Sequence, residues 1–493
     1  NAIELMPFSE FEGNSSWGYN PSFYFATDKY YGRDTDIKEF IQECHKRGLA
    51  VIMDIVLNHA YGQCPLVRMY FNSAEGKPSP DNPWFNVTSP NTTYSWGYDF
   101  NHESTATRYF VDRVVEYWLT EFKVDGFRFD FTKGFTNTPG DGGSYDPSRI
   151  SNLKRIYDKI KSVNTKAVMI CEHFAPNTEE KALSDYGIML WGNSNYNYNE
   201  ATMGYIQNSD LSWSSYLTRG WNNPNLVSYM ESHDEERLMF KNINFGNSNE
   251  TYNIKDPVTA LQRMELAGVF FLSIPGPKMI WQFGELGYDI TIDFNGRVGE
   301  KPVIWEYLND PWREKLYLTW AKMLDIRKKY PVFETDDYTL TTGNNVAGKK
   351  IILRHDEEDV LVVGNFGLTS LTFQPGYTQT GWWYEMFSGD SVDITDVAAE
   401  ITLQPGEYRL YASKKMESVI SGVVETPAEN ISLYPNPVTD KIYVEVNGTA
   451  SDIRVVDLSG NTVLRIDPGA GVNSLDVSGL NRGLYVLVVQ TGD

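Results

Sequence analysis

Four short segments, each closing an apolar run, gather acids, an arginine and histidines. They are Asp54-Ile-Val-Leu-Asn58-His59, Gly126-Phe-Arg128-Phe-Asp130, Met169-Ile-Cys-Glu172-His173 and Glu231-Ser-His233-Asp234. Each sits where a strand-like stretch meets a polar loop. Residues two apart on a strand share a face, so Arg128 and Asp130 point the same way. A guanidinium beside a carboxylate lowers its pKa, which predicts an ionised Asp130 suited to nucleophilic attack. Glu172 ends a different strand. With Asp130 and Asp234 close by, like charge is expected to raise its pKa and keep it protonated, as a general acid requires. One ionised and one protonated carboxyl describe glycoside cleavage through a covalent intermediate. Asp54, His59 and His233 would hold hydroxyl groups by charge-assisted hydrogen bonds. Any one segment alone reads more readily as a loop cap, a satisfied histidine or a simple ion pair. Four together, in order, are far more specific.

Side chains at the ends of parallel strands open onto one face of an α/β barrel. Strand candidates fall at 2–6, 49–57, 124–131, 167–172, 187–191, 226–231 and 278–283. Amphipathic helical stretches lie between them. Ile37, Phe40, Ile41 and Cys44 share a face within 36–47; Phe110, Val114, Tyr117 and Trp118 within 107–122; Ile150, Leu153, Ile156, Tyr157 and Ile160 within 150–161. Strand–helix alternation predicts a parallel sheet, and continuous apolar strands such as Leu49-Ala-Val-Ile-Met53 predict burial on both faces. Residues 1–330 therefore read as a (β/α) barrel, with seven strands rather than eight. The segment 60–106 is a long polar excursion beside the site.

Beyond 330 the pattern changes to short alternating strands at 350–354, 359–364, 370–373, 382–386 and 407–411, predicting an antiparallel β-domain over 331–413. Residues 414–429 read as a linker, and 430–493 as a small β-sandwich with strands in Ile453–Gly460 and Gly483–Val489.

The 493 residues carry a net charge of −22, and no basic stripe suits a phosphate backbone, so nucleic acid is not an expected partner. No apolar run is long enough to span a membrane. Cys44, Cys64 and Cys171 imply no disulfide framework. Aromatics make up 14%, with 31 Tyr and 13 Trp. They suit large cores and also flat platforms for sugar rings, and the cluster Asn193-Ser-Asn-Tyr196-Asn-Tyr198 fits either role.

In combination the four segments resemble the signatures of the α-amylase family, glycoside hydrolase family 13. Ser16-Trp17-Gly18-Tyr19-Asn20-Pro21 is similar to a further family segment. The resemblance covers about residues 1–413. It implies Asp130 as nucleophile, Glu172 as acid/base and Asp234 as transition-state stabiliser, with Arg128 orienting Asp130. It also implies that His59, His233 and Lys133 bind sugar and that Tyr19 stacks beneath the ring being cleaved. The implied reaction is retaining cleavage of internal α-1,4-glucosidic bonds in starch-like glucans. The resemblance aligns residues 1–7 with the family's second barrel strand, so the first strand is expected to be missing from this chain. It further implies a structural Ca2+, with Asn58, Asp99 and the backbone carbonyl of Gly134 as oxygen ligands. Most α-amylases have histidine at the position of Gly134.

The segments Ser432-Leu-Tyr434-Pro435-Asn436-Pro437, Val455–Gly460 and Leu480-Asn-Arg-Gly483-Leu-Tyr485 resemble the sorting domain of the type IX secretion system. That implies a secreted or cell-surface protein and a secretion machinery as partner. Two other readings stand beside hydrolysis. One is an α-glucan transglycosylase such as a branching enzyme, disfavoured by Asn58-His59; the other is a non-catalytic glucan-binding fragment.

Overall fold

The computed structural model describes residues 1–420, 431–434, 438, 440–446, 450–456, 462–466, 471–480 and 485–491. The chain divides into two compact units, residues 1–308 with 316–421, and residues 309–315 with 422–493.

The first unit is built on one parallel sheet. Its strands are Ala2–Leu5, Ala50–Ile55, Gly126–Phe129, Val168–Cys171, Met189–Asn193, Leu226–Tyr229 and Lys278–Met279. They lie side by side in chain order, every neighbour parallel. All seven expected strands are present. The alternation of side chains buries both faces. Ile52, Ile170, Trp191, Val227 and Tyr229 cluster on the inner face. Val51, Met53, Phe127, Phe129, Met169, Cys171 and Leu190 pack outward against helices. The sheet curls as a barrel does: Tyr19, beyond the first strand, stacks on His233, beyond the sixth.

The helices begin at local signals. Asp36 accepts the backbone N–H of Arg33 at 2.9 Å to cap Asp34–Lys46, which buries Ile37, Ile41 and Cys44. Phe40, expected on the same stripe, lies at its edge and is 37% exposed. Asp146 accepts the N–H of Ser148 at 2.8 Å, and Pro147 opens Pro147–Val163. The helix expected over 107–122 is α-helical only over Thr105–Tyr117; Trp118–Phe122 widens into a π-turn that buries Trp118, Leu119 and Phe122. Pro257–Ser273 is buried on nearly every side from Ala260 onward, Arg263 and Glu265 included, so it has no exposed polar face against which a stripe could be read.

The excursion after the second strand is not structureless. A two-residue antiparallel pair, His59↔Asp99 and Ala60↔Tyr98, closes it at its base, and it carries a short helix at Pro65–Met69.

A six-stranded antiparallel sheet follows the barrel, in the order Tyr338–Thr341, Gly348–Leu353, Val360–Asn365, Tyr408–Ala412, Gly381–Glu385, Ser391–Ile394. Leu371–Phe373 and Ile401–Leu403 pair separately. Three of these strands, 338–341, 391–394 and 401–403, were not expected: they are short, and each leaves side chains half-buried or exposed.

In the second unit, two three-stranded sheets enclose Ile442, Val444 and Leu475 from one and Ile453 and Val455 from the other, which is a small sandwich. Residues 421–429 of the expected linker lie outside the described residues, as do Pro435, Asn436, Pro437, Gly460 and Gly483. Among the described residues all three cysteines are free and buried, and no helix is long and apolar enough to cross a membrane.

Candidate active site

Arg128 is the hub. It is fully buried at the end of the third strand. Its Nη1 donates to both carboxylate oxygens of Asp54 at 2.9 Å and to Asp130 Oδ1 at 3.1 Å. Its Nη2 lies 3.1 Å from Glu172 Oε2. The Trp191 ring covers the guanidinium at 4.1 Å. One cation therefore serves three acids from three successive strand ends.

Exposure separates their tasks. The side chains of Asp130 and Glu172 are 13% and 15% exposed and that of Asp234 is 45%, whereas Asp54 is at 2%. Asp54 is spent on Arg128 and on the Tyr19 hydroxyl, which donates to its Oδ2 at 2.6 Å. It was expected to hold substrate hydroxyls; here it anchors the groups that do face the cleft.

Arg128 does not hold Asp130 down. Burial, then the charge of Glu172, push the Asp130 carboxyl well above the ordinary carboxylate range, with Asp54 and Asp234 adding to the rise and Arg128 opposing it. This corrects the expectation drawn from spacing alone. The arginine is shared, and its neighbours outnumber it. Glu4, on the first strand, belongs to the same field: burial, then Asp54, push it up to about 8. It was not singled out in the sequence, although an acid within an apolar strand was the available signal.

Asp234 behaves oppositely. Its burial pushes upward, but His233 Nε2 at 3.3 Å holds it below the usual range, with Arg297 Nη2 at 3.5 Å helping. His233 is stacked on Tyr19 at 4.9 Å and 19°. His59 Nε2 donates to the Tyr19 carbonyl at 2.9 Å, and burial pushes its pKa down to about 4, so it is neutral at pH 7. The structure thus brings Tyr19, Asp54, His59, Arg128, Asp130, Glu172, His233 and Asp234 to one end of the sheet.

Glu172 is fixed from the neighbouring strand end. The Phe131 N–H donates to its Oε2 at 2.9 Å, and Phe131 adopts a left-handed φ of 43°. A non-glycine residue held there stores strain, a feature that concentrates at functional sites. Thr132 Oγ1 donates to the Glu172 carbonyl at 2.9 Å and also meets His173 Nδ1 at 2.9 Å. His173 Nε2 meets Glu179 Oε1 at 2.9 Å, and Arg149 Nε donates to the same oxygen at 2.6 Å. Arg149 Nη1 donates to the carbonyl of Lys133 at 2.9 Å. Neither Glu179 nor Arg149 was marked in the sequence, because the ion pair that joins them spans 30 residues of chain. Lys133 Nζ lies 4.5 Å over the Tyr94 ring.

Of the residues read as cation ligands, Asn58 and Gly134 lie against each other. Asn58 Oδ1 is buried and accepts no hydrogen bond. A Cβ at Gly134 would stand 2.0 Å from that oxygen, so this arrangement leaves no room for a side chain there. The ladder pairing His59↔Asp99 ties Asp99 to the residue after Asn58. Asp99 receives only neutral donors, Asn86 Nδ2 at 2.7 Å and Ser89 Oγ at 3.2 Å, and burial pushes it up to about 6. An orphaned amide oxygen and an acid with no cation, on residues joined by one short ladder, are oxygen donors of the kind a hard cation takes. Among the described residues no cluster of three His, Cys, Asp or Glu offers an alternative metal site.

The model of the α-amylase catalytic domain matches residues 1–97 and 91–315, and that of the secretion system C-terminal sorting domain matches 432–493, marking the chain for type IX export. Alpha-amylase 3 of Dictyoglomus thermophilum is 24% identical over 381 residues, covering 73% of this chain and 66% of that protein. The 1,4-α-glucan branching enzyme of Oceanobacillus iheyensis is 23% identical over 420 residues, covering 79% and 63%. The chain thus spans less than two thirds of the length of these relatives. The crystal structure of α-amylase from Geobacillus thermoleovorans superposes with a TM-score of 0.64 at 16% identity, covering 84% of this chain and 88% of that one. With its catalytic-domain model matched over more than half its length and its acids gathered around one arginine, the chain belongs to the α-amylase family of glycoside hydrolases and transglycosylases.

Proposed function

We propose that this chain hydrolyses internal α-1,4-glucosidic bonds of starch-like glucans by double displacement. The observation that carries the reading is the shared contact of Asp130 and Glu172 with one buried guanidinium, their tips open to the cleft. The reactive form carries one proton, on Glu172. Asp130 Oδ attacks the anomeric carbon as the glycosidic C–O bond breaks and Glu172 protonates the departing oxygen. Water then enters with Glu172 as base, and the bond to Asp130 is released. Positive charge growing on the sugar favours the ionised form of Asp130, which burial disfavours in the empty site. Asp234, ionised beside His233, holds sugar hydroxyls. Tyr19, His59, His233 and Lys133 bind the chain, and Arg128 with Asp54 positions the acids.

Reducing-end release from soluble starch tests this against Asp130→Asn. Loss of release in the variant is the expected result. New α-1,6 linkages without reducing ends in the parent chain would replace hydrolysis by branching, and equal rates in the two chains would remove Asp130 from the mechanism.

The reading includes a Ca2+ ion held by Asn58, Asp99 and the Gly134 carbonyl. It would supply charge to Asp99 and pin the base of the excursion to the barrel. Added Ca2+ at about 100 times its Kd should stabilise the fold by about 2.7 kcal/mol, seen as a higher melting temperature, and Asn58→Ala should abolish the increment. Outside the cell, the type IX machinery is the proposed export partner and an α-glucan the proposed substrate.

A further inference from the structure

Arg297 reaches the site from the loop that follows the seventh strand. Its Nη2 donates to the Asp234 carbonyl oxygen at 2.6 Å and lies 3.5 Å from Oδ1 of the same residue. His233 Nε2 stands 3.3 Å from the other carboxylate oxygen, Oδ2. The side chain of Asp234 is 45% exposed, against 13% and 15% for Asp130 and Glu172. It therefore has less packing around it than the other two acids, and its direction is set by His233 and Arg297. One guanidinium nitrogen that bridges the carbonyl and the carboxylate restricts the torsions between them.

An exposed arginine on a loose loop would carry little meaning, but this loop is fastened at both ends. Thr291 Oγ1 and the Ile292 N–H donate to the two carboxylate oxygens of Glu236 at 2.7 and 3.0 Å. Glu236 lies two residues beyond Asp234, so the loop is tied to the segment that carries its target. Lys301 Nζ donates to the carbonyls of Gly296, Arg297 and Gly299 at 2.9, 3.1 and 2.7 Å, gathering the turn around the arginine. Asn295 and Gly296 make that turn at φ 56° and 78°, in the left-handed region those two residue types enter most readily. At the far end Ser15 Oγ donates to Glu300 Oε1 at 3.1 Å. Lys301 also stands 5.9 Å over the Trp17 ring, which meets His233 edge-on at 5.4 Å. Residues 291–301 thus form a strap from the Asp234 segment to the one before Tyr19, with Arg297 between its fastenings.

A group that grips hydroxyls as the sugar distorts must be aimed before the sugar arrives, since a displacement of about 1 Å can cost about 10²-fold in rate. Against the upward push of burial, His233 and then Arg297 also hold the Asp234 carboxyl low. We propose that Arg297 is a positioning residue for Asp234, holding its carboxylate in the direction the transition state requires. This rests on the proposed cleavage of α-glucans.

The test is the split between kcat and KM on maltohexaose. Arg297→Met should lower kcat about tenfold and leave KM within about twofold, the mark of an interaction made in the transition state. Arg297→Lys should recover most of the loss, because a cation returns to the same carboxylate, and all three chains should melt at the same temperature. An unchanged kcat, or a loss confined to KM, would overturn the proposal. So would a loss that Arg297→Lys does not recover, or one that comes with a lower melting temperature; either leaves the arginine a fastening of the loop. Should Arg297→Met fail to fold, Arg297→Gln decides the matter by the same split. A parent chain that cleaves no maltohexaose removes the α-glucan reading and this role with it, a result distinct from an active parent with an unchanged variant.

Discussion

Arg128 and Arg149 are both fully buried, yet they face opposite charge balances. Arg149 meets one carboxylate squarely: Nε to Glu179 Oε1 at 2.6 Å, Nη2 to Oε2 at 2.8 Å, with its remaining donors on the carbonyls of Lys133 and Ser144. Glu179 also accepts from the Asp146 N–H at 2.9 Å. Against the penalty of its burial, His173 and Arg149 hold it down to about 2. Arg128 divides itself among Asp54, Asp130 and Glu172, and its Nε and Nη2 make no well-aligned hydrogen bond. Burial first, and then acids that outnumber the cation, push Asp130 up instead of down. The difference teaches what a buried ion pair is for. A matched, satisfied pair fixes a loop. An unmatched cluster stores unfavourable charge until a substrate with growing positive charge arrives.

The sharpest way to break this contrast is to remove one acid from each cluster. Asp130→Asn should abolish turnover, a loss of about 10⁴-fold or more, as expected when a group that acts on the reacting atoms is lost. The same substitution should raise the melting temperature at pH 7, because it deletes a buried charge that Arg128 does not compensate. A lower melting temperature would mean that Arg128 stabilises Asp130 after all. Glu179→Gln should do the reverse, costing about 3–5 kcal/mol in urea unfolding because Arg149 is left without its carboxylate. It would disturb Glu172 only through Thr132 and His173, so the loss of activity should be smaller than that of stability.

Acidity separates the two clusters again. Glu179, with its folded pKa depressed, contributes stability that is present above its unfolded value and lost as pH falls toward about 2. Asp130, with its folded pKa raised, contributes in the other sense: its share is present below the unfolded value and lost as pH rises through the folded one. Because attack needs the carboxylate, the acid limb of kcat/KM should lie above the ordinary aspartate value of about 3.9. A limb at or below that value would contradict the raised Asp130. The smallest effect is expected from Tyr19→Phe. It removes one hydrogen bond to Asp54, about 1.5–3 kcal/mol for a charged acceptor, while Asp54 keeps Arg128. A stability change without a tenfold loss in kcat would show that Asp54 anchors the site rather than touching sugar.

Much of this contrast could be read before any coordinates. Asp130, Glu172 and Asp234 announced themselves because each ends an apolar strand, and a parallel barrel sends all such ends to one face. The seven strands were legible for the same reason: burial on both faces makes them continuously apolar. Pro257–Ser273 was not, because burial on nearly every side erases the helical stripe. Glu179 and Arg149 were not either, since an ion pair between residues 30 apart leaves no local mark.

The sequence by itself determined the order of elements, the identity of the acids and the face they share, since strand period and hydrophobic pattern are local properties. Only the tertiary structure decided how charge is distributed among them. It tied Asp54 to Arg128 and set Asp130 above its ordinary range. Those outcomes depend on distance and desolvation across the sheet, and neither quantity exists until the chain has folded.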